Sequence, residues 1–148
     1  MSGTGDDGIP MELQRRMVAF VRAFGLHRPD ETPCGAPVPV SEAHALAVLA
    51  EHGPLAQRGL SEALGLTKST VSRLVDQLER RGWVRRTTGD GDARQRLVDL
   101  TTEGTKAAAA IAARRAERMA RLLDRIPEAD RAMVLAALDT LVEATRDP

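Results

Sequence analysis

Apolar residues recur at helical spacing through the first ordered stretch of the chain. Leu13, Met17, Phe20, Val21 and Phe24 share one face of a helix predicted over Met11–Leu26. Pro10 sits where a first helical turn tolerates it, and the Gly-, Asp- and Ser-rich residues 1–10 predict a disordered tail. Pro29, Pro33, Pro37 and Pro39 exclude a continuous helix over 27–40, which reads as a linker. A second helix is predicted from Ser41, as its cap, to about Glu51, with Ala45, Leu46, Val48 and Leu49 inward and Gly53-Pro54 as the stop. A short helix over Gln57–Leu64 follows, then the turn Gly65-Leu66. Thr67 is a good cap for a helix over Lys68–Arg81, where Val71, Leu74, Val75 and Leu78 form one apolar face and Gly82 ends the run.

The period then changes. Trp83–Thr87 and Gln95–Leu100 alternate around the turn Thr88-Gly89-Asp90-Gly91-Asp92, which predicts a half-buried hairpin. From Thr102 an Ala-rich helix runs to about Arg125, with Ile111, Met119, Leu122 and Ile126 along it, and Pro127 breaks it. A last helix over Glu128–Ala144 carries Val134, Leu135, Leu138, Leu141 and Val142 on one face. The pattern therefore predicts a mainly α protein with one small hairpin (α+β), a single domain over 11–148 behind the tail.

One stretch reads as chemistry. Leu60–Val84 has the layout of a helix-turn-helix: a short helix, a tight turn at Gly65, and a second helix with small polar residues at its start. Leu60, Leu64, Leu66, Val71 and Leu74 would lock the two helices together. Lys68, Ser69, Thr70, Ser72 and Arg73 fall on the other side, where Ser and Thr can bond to base edges or phosphates and Arg73 can contact guanine bidentately. The bland reading is a helical hairpin with a polar surface.

Composition narrows the alternatives. Hydrophobic residues make up 43% and charged residues 28% of 148 residues, ordinary for a globular chain. Aromatics are only 2%, too few for a platform that stacks single-stranded bases. The net charge of zero is unevenly spread: residues 1–54 carry four Lys/Arg against seven Asp/Glu, residues 55–101 nine against six, and residues 102–148 eight against eight. Lys68–Arg86 alone holds six positive and two negative residues, and a local basic footprint is what phosphate contacts require. No apolar run approaches a membrane span, and the acidic start is the reverse of a signal peptide, so a cytoplasmic protein is expected.

Other chemistry is weakly encoded. There is no Gly-rich phosphate loop, no G-x-S-x-G and no spaced acid/base pair, so no enzyme, catalytic residue or cofactor is expected. His27, His44 and His52 lack the spacing of a metal site. Cys34 lies between Pro33 and Gly35 with no basic residue within three positions, which argues against an activated thiolate.

The wing carries a resemblance. Asp92-Ala-Arg-Gln-Arg-Leu-Val-Asp-Leu-Thr101, preceded by Leu78-Glu-Arg-Arg-Gly-Trp-Val-Arg-Arg86, resembles the MarR family of bacterial regulators over roughly residues 11–145. Many relatives have a second Arg where this chain has Ala93, so its wing tip is less basic. The resemblance implies a winged helix-turn-helix over 41–101 and a homodimer held by the helices at 11–26 and 102–148. It further implies a recognition helix in the major groove and a wing that reaches the minor groove through Arg94, with Arg96 beside it and Asp92 holding Arg94. It implies a transcriptional regulator of double-stranded DNA, expected to be a repressor on a palindromic operator. A small, often aromatic or phenolic, ligand would release it, with Phe20, Phe24, His44 and Met119 as candidate lining. The competing readings are a helical ligand-binding module without DNA binding and an architectural DNA binder without sequence preference.

Overall fold

Residues 8–88 and 96–146 are described by the computed structural model. In chain order they form α1 (Ile9–Phe24), α2 (Val40–His52), β1 (Leu55–Ala56), α3 (Gln57–Leu64), α4 (Lys68–Arg80), β2 (Val84–Thr88), β3 (Arg96–Leu100), α5 (Thr102–Asp124) and α6 (Glu128–Ala144). The mainly helical, α+β class follows the sequence pattern. Contacts group into two compact units, Met1–Arg114 and Arg115–Pro148.

In the first unit, α1 starts at Ile9 with Pro10 in its first turn, so Ile9 and Pro10 belong to the helix and not to the expected tail. No residue of α1 is buried. The proline-rich stretch after it is more than a linker. Thr32 N–H donates to the Ala36 carbonyl at 3.0 Å, and the Thr32 hydroxyl oxygen accepts from Ala36 N–H at 3.0 Å. This folded loop delivers Ala36 and Val38 to the core, where each is 3% exposed. Ser41 does not cap α2, because the helix begins one residue earlier, at Val40, behind Pro39 and without a side-chain cap bond. Ala45, Leu46 and Leu49 of α2 are buried as the periodicity requires, and Val48 is half-buried.

The core is closed by α3, α4 and the sheet. Leu60, Val71, Leu74, Val75 and Leu78 are buried together with Val84 and Val98 from the strands. The sheet is antiparallel in the order β1-β3-β2, with Val84 opposite Leu100, Arg86 opposite Val98 and Leu55 opposite Val98 on the other side. The third strand, β1, adds to the two-stranded hairpin that the alternation predicts. Thr101 ties the sheet to α5: its hydroxyl donates to the Gly82 carbonyl at 2.6 Å, and its oxygen accepts from Gly104 N–H at 3.0 Å. Gly104 is sterically required there, because a Cβ would lie 1.8 Å from the Trp83 carbonyl oxygen. Ile111 extends the core along α5.

The second unit holds the end of α5 and α6. Arg131 Nε donates to the Ile126 carbonyl at 3.2 Å across the Pro127 break, and no residue of α6 is buried. Large apolar side chains are exposed on α1 (Ile9, Met11, Leu13, Met17, Val18, Phe20) and, in this unit, at Met119, Leu122, Leu123, Met133, Leu135, Leu138 and Val142.

Candidate nucleic-acid interface

The helix-turn-helix is built by short-range bonds that the local sequence encodes. Gly65 adopts φ +64°, a left-handed conformation that a residue without Cβ reaches at little cost. The turn is fastened by Leu66 N–H to the Ser61 carbonyl at 3.2 Å and by the Ser61 hydroxyl donating to the Leu66 carbonyl. Thr67 then caps α4, its side-chain oxygen accepting from Thr70 N–H at 3.3 Å. At the far end Gly82 N–H reaches the Glu79 carbonyl and Trp83 N–H the Leu78 carbonyl, a Schellman closure that aims the chain into β2.

This frame fixes what α4 shows to solvent. Lys68, Ser69, Thr70 and Arg73 are exposed as expected, and Ser72 is half-buried. The Thr70 hydroxyl lies 2.8 Å and the Ser69 hydroxyl 3.3 Å from the Thr67 hydroxyl, so both are engaged by the cap. Arg96 is exposed at the start of β3. Asp92 and Arg94 lie outside the described residues.

The basic run divides into two groups that no count of charges distinguishes. Arg81 Nε pairs with the buried Glu42 at 2.7 Å, and its guanidinium lies 5.0 Å from the Trp83 ring centroid. Arg85 lies 3.5 Å from Asp99 across the strands. Arg86 is the most engaged: Nη2 meets Asp76 at 2.7 Å, Nη1 meets Glu79, and Nε donates to Gln57 Oε1 at 3.2 Å. By contrast, the side chains of Lys68, Arg73, Arg80 and Arg96 make no ion pair or hydrogen bond within the described residues. Arg80 belongs to this second group although the sequence pattern does not single it out. Its position two turns after Arg73, at i+7, is the signal that could have found it.

The remaining candidates lie on α1, α2 and α5. Phe20 and Phe24 stack at 5.3 Å between centroids on α1, with Phe20 half exposed. His44 is exposed on α2, and Met119 is exposed in the second unit. A shallow groove along α1, lined by Met11, Arg15, Val18 and Arg22 among others, includes none of these four. Cys34 is half-buried with its sulfur 2.9 Å from the Thr32 hydroxyl. Among the described residues no cluster of His, Cys, Asp or Glu could hold a metal ion, and no helix is long and apolar enough to cross a membrane.

Comparison with known proteins finds a family likeness over part of the chain. Residues 36–95 match the model of the MarR family. The chain is 41% identical over 54 residues to an uncharacterized HTH-type transcriptional regulator, YwoH, of Bacillus subtilis, a match spanning 36% of this chain and 39% of YwoH. It is 42% identical over 45 residues to the transcriptional repressor MprA of Escherichia coli, spanning 30% of this chain and 26% of MprA. The chain thus spans less than half the length of these curated relatives. Among solved structures, the PcaV transcriptional regulator from Streptomyces coelicolor superposes with a TM-score of 0.71 at 23% identity, covering 93% of this chain and 97% of PcaV. A complex of PcaV with its natural ligand is also similar, at a TM-score of 0.68.

Proposed function

We propose that the chain is a winged-helix transcriptional regulator of the MarR type, which binds a palindromic operator as a homodimer and represses transcription. The observation that carries this reading is the α4 surface: Lys68, Arg73 and Arg80 project without an ion-pair partner among the described residues, beside the hydroxyls of Ser69, Thr70 and Ser72. Lys68 and Arg80 suit phosphate oxygens, while Arg73 has the fork that guanine accepts. Arg96 and, by family likeness, Arg94 extend the footprint to the minor groove, with Asp92 orienting Arg94.

Dimerisation is supported by the apolar side chains left exposed on α1 and between Met119 and Val142. A symmetric pair covering them would bury upward of about 2,000 Å², and its two-fold axis would set half-sites about one helical turn apart. Repression needs only that the dimer occupy a promoter in the cytoplasm, and MprA is named a repressor. A small aromatic or phenolic ligand would lower DNA affinity by its preference for the incompetent state, with Phe20, Phe24 and His44 of the first unit and Met119 of the second each a separate candidate contact. PcaV has been solved with its natural ligand.

The test begins by selecting an operator from a pool of random duplexes with the wild-type protein. Selection of an inverted repeat is expected, and Arg73→Ala should weaken binding to it by roughly 1–3 kcal/mol and relax the preference at one base pair. Equal retention of all duplexes would overturn sequence-specific recognition. Placing that operator across a reporter promoter tests the sign, and a rise in transcription on adding the purified protein alone would overturn repression.

A further inference from the structure

The DNA-facing helix carries two acidic residues among its exposed cations, and helix geometry makes them competitors for those cations. Asp76 follows Arg73 by three residues and precedes Arg80 by four, both spacings at which opposite charges pair on a helix surface. Neither pair forms. Asp76 is bound instead by Arg86 Nη2 at 2.7 Å, and Glu79 by Arg86 Nη1. The fork is held in place by Gln57 at the start of α3, and the Arg86 side chain is only 19% exposed, against 54% for Asp76 and 44% for Glu79. A planar guanidinium on a strand binds two carboxylates at once, which a flexible surface arginine on the helix itself does not match.

We propose that Arg86 is a positioning residue that sequesters Asp76 and Glu79, and so keeps Arg73 and Arg80 free for the DNA backbone and base edges. Arg86 acts through these two arginines without touching DNA. It also removes two negative charges that would otherwise face phosphates. This inference rests on DNA binding by α4 as proposed above.

The experiment uses the full-length protein, an operator duplex selected by the wild type, and binding measured at several salt concentrations. Arg86→Met is expected to weaken binding at least about tenfold and to lower the slope of log affinity against log salt by about one to two, as two cations turn inward. Adding Asp76→Asn and Glu79→Gln to Arg86→Met is expected to restore affinity to within about threefold of wild type, although the clasp is still broken. A purely architectural clasp predicts the opposite, no recovery, and that result would overturn the proposal, as would unchanged binding by Arg86→Met. Asp76→Asn with Glu79→Gln in the wild-type background does not depend on whether Arg86→Met folds. It should bind as well as wild type or better, and weaker binding would overturn the sequestering role. If the wild type itself selects no duplex, it is the DNA-binding reading that has failed, and the inference falls with it.

Discussion

The region from Ala36 to Leu100 and the helices at the two ends of the chain are built on the same apolar periodicity, yet only the first buries it. Leu46, Leu60, Val71, Val75, Leu78 and Val98 are fully enclosed within the single chain. On α1 and α6 not one residue is buried, and Met11, Met133 and Leu135 are more than 60% exposed. A stripe of similar hydrophobicity is a core in one place and an unfilled surface in the other. Amphipathic spacing therefore identifies a face that must be covered, and says nothing of whether the same chain covers it.

The contrast can be broken most decisively at the flanks. Leu135→Asp with Leu138→Asp should abolish the proposed dimer at micromolar concentration, since charges cannot be desolvated unpaired in an apolar interface. Sedimentation showing an unchanged dimer would mean that this face is not the one covered. Next in size, Leu60→Ala should cost about 2–5 kcal/mol in urea unfolding, by loss of transfer energy and creation of a cavity. Measured in the background of the two leucine substitutions on α6, the same loss is expected, and a chain without any cooperative transition there would show that the central region does not stand alone. Gly104→Ala should cost at least about 1–3 kcal/mol, because α5 must retreat from the Trp83 carbonyl, and wild-type stability would remove that contact from the account. The smallest effect is Thr67→Ala, about 1 kcal/mol from the lost cap of α4, read as a shift in the same unfolding curve.

Much of this architecture is legible in the sequence because it is local. Gln57–Leu64 and Glu128–Ala144 agree with their predicted bounds, since Gly65 and Pro127 mark ends within a few residues. The Thr67 cap and the Val71, Leu74, Val75, Leu78 face are legible for the same reason. What escapes depends on partners distant in sequence. Leu55–Ala56 is too short to show a period and becomes a strand only by pairing with Leu97 and Val98. Ser41 has the chemistry of a cap, but Pro39 already sets the backbone for a helix starting at Val40. Ala36 and Val38 read as linker because proline spacing conceals what the Thr32 hydroxyl organises. The pairings of Arg81 with Glu42, Arg85 with Asp99 and Arg86 with Gln57 span 39, 14 and 29 residues, so the basic run reads as one footprint although half of it is internally engaged.

Those engaged arginines bear on how such a protein finds its site. Attachment to arbitrary duplex is almost wholly electrostatic, and each cation withheld removes about 0.9 from the salt exponent of that attachment. If α4 binds DNA as proposed, tying Arg81, Arg85 and Arg86 to carboxylates leaves the chain fewer cations with which to hold random sequence. Under that proposal genomic DNA would act as a weaker sink, and fewer molecules would be needed to keep one operator occupied.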